Sequence, residues 1–170
     1  MTSKTFIKQF NQSITIEEQN LINEFFVTFS RFECALKATG FANGDNNRVN
    51  PNWDTFTSSI RELFDIDARS ENVNIAIDYL TIHPPRVQNY GNGQLGWRER
   101  EFQTNEPLIN KLSFSIRDVR NNLFHGGKFN GNYQEDVSRN FILLKHSIEI
   151  LNYWLNLSPN VKQNFLEPIV

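Results

Sequence analysis

The chain has 170 residues, of which 39% are hydrophobic and 13% aromatic, the length of one domain with enough apolar area to bury a core. Fifteen phenylalanines against eight glycines and six prolines exclude a disordered or collagen-like chain, and a single cysteine excludes an internal disulfide or a multi-cysteine zinc site. With a net charge of -2 there is no general attraction for phosphate backbones, so a nucleic-acid site has to be a local cationic patch.

The opening MTSKTFIKQFNQS has neither an apolar signal core nor a small-residue cleavage site. No run reaches the ~18 apolar residues of a membrane span, so a cytoplasmic protein with no membrane partner is expected. Thr15 and Glu18 have capping-box spacing, and Leu21, Phe25, Phe29, Phe32 and Leu36 step by four and three, which predicts a long amphipathic helix stopped at Gly40. Cys34, in FSRFECALKA, reads as a small core residue. Turn chemistry follows in FANGDNNRVNPN, and a second helix begins near Pro51 with Trp53, Phe56, Ile60 and Leu63 as its stripe. After the interruption DIDARSEN, NVNIAIDYLTI resumes an apolar segment, read as helix with strand as the alternative, up to His83, Pro84 and Pro85.

From Arg86 to Glu101 the helical stripe is missing. A Gly-Asn-Gly turn flanked by Val87, Tyr90, Leu95 and Trp97 predicts a small hairpin or irregular excursion, exposed as an insertion. Helical period returns with Leu108, Leu112, Ile116, Val119 and Leu123 and stops at Gly126 and Gly127. The last long helix carries Val137, Phe141, Leu144, Ile148, Leu151 and Leu155, widened by Ile142, Ile150, Trp154 and Leu157, and Pro159 begins a short polar tail. The fold class expected is all-α, one domain over residues 1–170, an antiparallel bundle of about four to six helices with the insertion near 86–101.

The residues that carry chemistry cluster in IRDVRNNLFHGGK: Arg117, Arg120, Asn121, Asn122, His125 and Lys128. At about 100° per residue, Arg117, Asn121 and His125 point roughly opposite the apolar stripe of their helix. Phe114 and Phe124 lie on or beside the same outward face, which suggests a partner contact or a pocket. The helix dipole favours imidazolium at His125 and the neighbouring arginines oppose it, so the histidine stays able to exchange a proton near neutral pH. A guanidinium one turn away can hold a phosphate through two parallel bonds. Base plus anion holder suits RNA cleavage by the adjacent 2′-hydroxyl, for which no metal is required. An arginine and a histidine five residues apart are cheap, expected by chance in about one chain in six of this composition, so the spacing needs its context.

That context is RNNLFHGGK at the end of a long helix in an all-helical chain, and it resembles the signature of HEPN domains, in which an arginine, usually followed by a polar residue, precedes a histidine by four to six positions. The resemblance covers the chain as architecture and only Arg120 to Lys128 in specific residues. It implies that Arg120 and His125 are the catalytic pair and Asn121 the supporting polar position, in a metal-independent endoribonuclease that works as a homodimer. Toxin–antitoxin modules and phage defence are the settings of such domains, so an antitoxin or defence-system partner protein is implied as well. Where one subgroup carries a modified tyrosine two residues after the histidine, this chain has Gly127. Arg117, Asn122 and Lys128 are the expected RNA-binding residues, and Phe114 and Phe124 the dimer contact. A second reading of the same residues is a catalytically silent HEPN-like dimer that binds a partner protein or a nucleotide.

Other candidates read as structural. His83 and His146 stand apart from other ligand types, so neither a metal nor another cofactor is expected. Asp65, Asp67, Glu71 and Asp78 read as solvated carboxylates. Gly91, Gly93 and Gly96 lack the strand-to-helix setting of a phosphate loop.

Overall fold

A computed structural model describes residues 2–124 and 137–168. Among them the chain forms seven helices and two small antiparallel hairpins, a mostly helical fold. The long second helix, α2 (Ile16–Ala38), follows α1 (Ser3–Ser13). Thr15 caps α2 as its spacing predicts: its hydroxyl accepts from the Glu18 amide at 3.2 Å, and Glu18 returns the bond to the Thr15 amide at 2.7 Å. At the other end Gly40 adopts φ +94°, and the amides of Gly40 and Phe41 reach the carbonyls of Lys37 and Leu36.

Phe41 leads into a short hairpin, β1 (Ala42–Gly44) and β2 (Val49–Pro51), where the sequence predicts only turns. The Asp45 carboxylate accepts from the amides of Asn47 and Arg48, and that closes the connection. Asn52 then caps α3 (Trp53–Ile66) by accepting from the Thr55 amide, and Ser70 caps α4 (Glu71–Ile82) in the same manner through Val73. Helix is therefore the outcome for NVNIAIDYLTI. The second hairpin, β3 (Val87–Gly91) and β4 (Gln94–Arg98), precedes α5 (Leu108–Phe124), α6 (Val137–Leu157) and α7 (Pro159–Leu166).

The core is aromatic at its centre. Phe32 of α2 stacks on Trp53 at 5.4 Å between ring centroids and meets Phe56 edge-on at 5.4 Å, and Trp154 of α6 closes on Phe56 at 6.0 Å. Leu112, Ile116, Val119, Leu144, Ile148 and Leu151 are buried as the helical period predicts. Three expectations fail by a residue or a segment. Phe64 and Thr57 are buried in α3 while Leu63 is 49% exposed, because the helix turns its face toward both α5 and α6. Cys34 is exposed, since the apolar face of α2 runs through its neighbours Phe32, Ala35 and Leu36. The tail after Pro159 is α7, with Val161 buried and the Arg31 guanidinium donating to the carbonyls of Asn164, Phe165 and Glu167.

Candidate active site

The C-terminal half of α5 brings the described motif residues to one end of the helix. Its position matters, because α5 is packed by α3, α4, α6 and β3, and it buries Ser113, Ser115, Asp118 and Asn122 as well as its apolar stripe. A free outward face is therefore found only in part. Asn121 is exposed, whereas Arg117 and Phe114 are half-buried. Phe114 is covered by Arg100, whose guanidinium lies 5.7 Å from the ring centroid.

Arg120 stands about 60° around the helix from the apolar stripe, between core and surface. Its guanidinium lies 5.9 Å from the centroid of Phe29, a buried ring of α2. Its Nη1 donates to Asn121 Oδ1 at 3.1 Å. The two contacts hold a planar cation between core and surface, and a guanidinium is a group that can take a phosphate oxygen. Asn121, adjacent in sequence, acts on the arginine before it acts on anything else. His125 and Lys128 lie outside the described residues, as does the side chain of Phe124.

Asn122 has a different position from the one its polarity suggests. Its side chain is inside, 6% exposed, and its Nδ2 donates to the Arg86 carbonyl at 2.8 Å. One turn earlier on the same face, Asp118 pairs with Arg100 through both Nε and Nη2. Arg86 precedes β3 and Arg100 follows β4, so two α5 side chains hold the two feet of the 87–98 hairpin. The dimensions match: residues i and i+4 are about 6 Å apart along a helix, close to the ~4.8 Å between neighbouring strands. From the other side Arg139 of α6 donates to the Pro84 carbonyl at 2.8 Å. Sequence reading treats this hairpin as an insertion apart from the motif, and nothing in its spacing signals that the motif helix carries it.

Burial pushes the Asp118 carboxyl above the usual carboxylate range, although Arg100 first and then Arg117 and Arg98 pull it down. Five arginines fall in 86–101 and 117–122 against the three carboxylates Glu99, Glu101 and Asp118, a local cationic excess in a chain of net charge -2. Arg86 pairs with Glu99 at 2.8 Å at the surface.

The two remaining histidines converge on one tyrosine. His83 and His146 stand 5.3 and 5.0 Å from the Tyr79 ring, and burial, with Lys145 beside it, holds the His146 imidazole below its ordinary value. Among the described residues no three metal-ligating side chains gather, and no helix is long and apolar enough to cross a membrane. A pocket of about 350 Å³ between α1 and α2 reaches Leu123 of α5, but Phe10, Ile22 and Phe26 line it without a cation. Comparison with family models, curated proteins and solved structures returned no match.

Proposed function

We propose that the chain is a metal-independent endoribonuclease of HEPN type, acting in the cytoplasm as a toxin or phage-defence effector, in which Arg120 and His125 cut RNA through its own 2′-hydroxyl. The observation that carries this reading is the set of Arg120 beside Asn121 at the end of α5: a guanidinium oriented by Asn121 Oδ1 and backed by Phe29, five residues before a histidine. His125 takes the 2′-hydroxyl proton, and Arg120 holds the charge that grows on the phosphorane-like transition state. Arg117 and Lys128 extend the phosphate contact, while Asn122, buried on another side of α5, fixes the hairpin.

A proton must be removed on one side of phosphorus and delivered to the leaving 5′-oxygen on the other, and the motif supplies one histidine per chain. A homodimer with two copies of α5 facing each other supplies the second, and Phe114 and Phe124 contribute apolar area to that contact. The regulator of such an enzyme is an antitoxin or defence-system protein.

The test is cleavage of single-stranded RNA in chelator, with 2′,3′-cyclic phosphate ends as the expected product. His125→Ala should slow the reaction by about 10²- to 10⁴-fold with folding unchanged, and Arg120→Lys should impair it because the planar fork is lost. An absolute magnesium requirement, or full turnover in either variant, refutes the reading. A stable dimer with no cleavage of any RNA favours the silent binding module.

A further inference from the structure

We propose that the pocket between α1 and α2 is a nucleobase site that takes adenine, with the phosphate of the same nucleotide on Arg120 beside it. The proposal rests on the ribonuclease reading only for that phosphate contact. The pocket has a volume of about 350 Å³, and its lining includes Phe10 and Asn11 of α1, Gln19, Asn23 and Phe26 of α2, and Leu123 of α5. Gln19, Asn23 and Phe26 step by four and three, so they share one face of α2. Gln19 also ties down the end of α1, its Nε2 donating to the Asn11 carbonyl at 3.1 Å.

Arg120 stands one helical step outside the pocket on both of its nearer walls. Leu123 is three residues after Arg120 on α5, and Phe26 is three residues before Phe29 on α2, each step about 4.5 Å along its axis. The two steps converge, because the Arg120 guanidinium lies 5.9 Å from the Phe29 ring centroid. Asp118 and Asn122, which hold the hairpin, are on another side of α5 and take no part. The lining decides the occupant. No charged side chain lines the pocket among the described residues, which suits a neutral ring, and Phe26, 44% exposed, offers aromatic surface for it to stack on. Asn11 and Asn23 are exposed at the rim, and a side-chain amide pairs through one donor and one acceptor with the matching edge of adenine. An acyl chain would use neither the amides nor a cation one turn away. A nucleotide uses ring, edge and phosphate together.

The experiment is fluorescence anisotropy of the full-length protein with labelled 2′-O-methyl oligonucleotides of A, C or U, each of about six nucleotides, which bind without being cut. Unlabelled AMP and adenosine serve as competitors, and cleavage of unmodified RNA is measured in parallel. Wild type should prefer the A oligonucleotide by about 5- to 100-fold, and Asn23→Leu should flatten that preference. Phe26→Ala should weaken binding about 5- to 100-fold, while Phe26→Tyr, which keeps the ring, stays within about twofold of wild type. AMP should compete better than adenosine against wild type and no better against Arg120→Ala, since the phosphate is what the arginine holds. Circular dichroism with a melting curve checks that each variant is folded. AMP that competes as tightly as the oligonucleotide identifies a free nucleotide as the ligand, and a much weaker AMP identifies an RNA strand; either supports the pocket. Equal binding of the three oligonucleotides, a preference that survives Asn23→Leu, wild-type affinity in Phe26→Ala, or no binding at all overturns the proposal. Binding that depends on Phe26 and Asn23 without cleavage of unmodified RNA supports the pocket and refutes the ribonuclease reading separately.

Discussion

Arg100→Met is the perturbation that best tests how the hairpin is fixed to the motif helix. Arg100 is 20% exposed at its side chain and Asp118 only 9%, and the guanidinium meets Asp118 Oδ2 with two nitrogens. Methionine keeps much of the packing on Phe114 but leaves the carboxylate inside without its main partner. Breaking a buried pair from one side costs about 3–5 kcal/mol, which for a chain of this size is a fall in Tm of about 6–20 °C. Asp118→Asn should cost less, about 1–3 kcal/mol, because an amide can still accept from Arg100 and the charge left without its partner is the more exposed of the two.

The two variants also separate by pH. Burial already raises the folded-state Asp118 carboxyl above its ordinary value, so the folded protein holds that proton more tightly than the unfolded chain does. Stability from this group is therefore highest below the ordinary carboxylate range and falls as pH rises through the raised value. Without Arg100, the strongest of the groups that lower it, the carboxyl rises further. The Tm deficit of Arg100→Met relative to wild type should then shrink as pH is lowered from about 7 toward 5, while that of Asp118→Asn, which has lost the titrating group, should not shrink and grows wherever wild-type Asp118 takes up its proton. Thermal melts by circular dichroism across pH read both effects. Equal losses in the two variants, or a deficit in Arg100→Met that ignores pH, would show that a stranded carboxylate is not the cause.

Asn122→Ala removes the donor to the Arg86 carbonyl and should cost about 1–3 kcal/mol in urea unfolding. Amides of 87–98 should lose hydrogen-exchange protection by more than that global change, and uniform loss would refute the clamp. If the proposed dimeric ribonuclease is right, Phe124→Glu should give a monomer that does not cleave, by light scattering and RNA gel on one preparation; a fully active monomer refutes the shared site.

The helices with strong period were legible because burial repeats along them. Phe25, Phe29, Phe32 and Leu36 are spaced to bury one face whatever covers it, and Thr15 with Glu18 closes the start of α2 by bonds within four residues. The 87–98 hairpin was legible for the same local reason, an Asn-Gly pair between short β-prone runs. By contrast α7 is short and polar on average; it is held by Val161 against the core and by Arg31, more than 130 residues earlier in the chain.

In the candidate site the sequence by itself determined which residue types stand together: Arg117, Arg120 and Asn121 near one helix end, with His125 following. Tertiary structure decided their roles. Asp118 and Asn122 look like surface polar residues of an amphipathic helix, but α5 is surrounded on most sides, so both are buried and each has to find a partner. Asp118 finds Arg100 and Asn122 finds the Arg86 carbonyl, 18 and 36 residues away. Such pairings depend on where separate segments meet in space, which no periodicity along one helix encodes, and they join the hairpin to the motif.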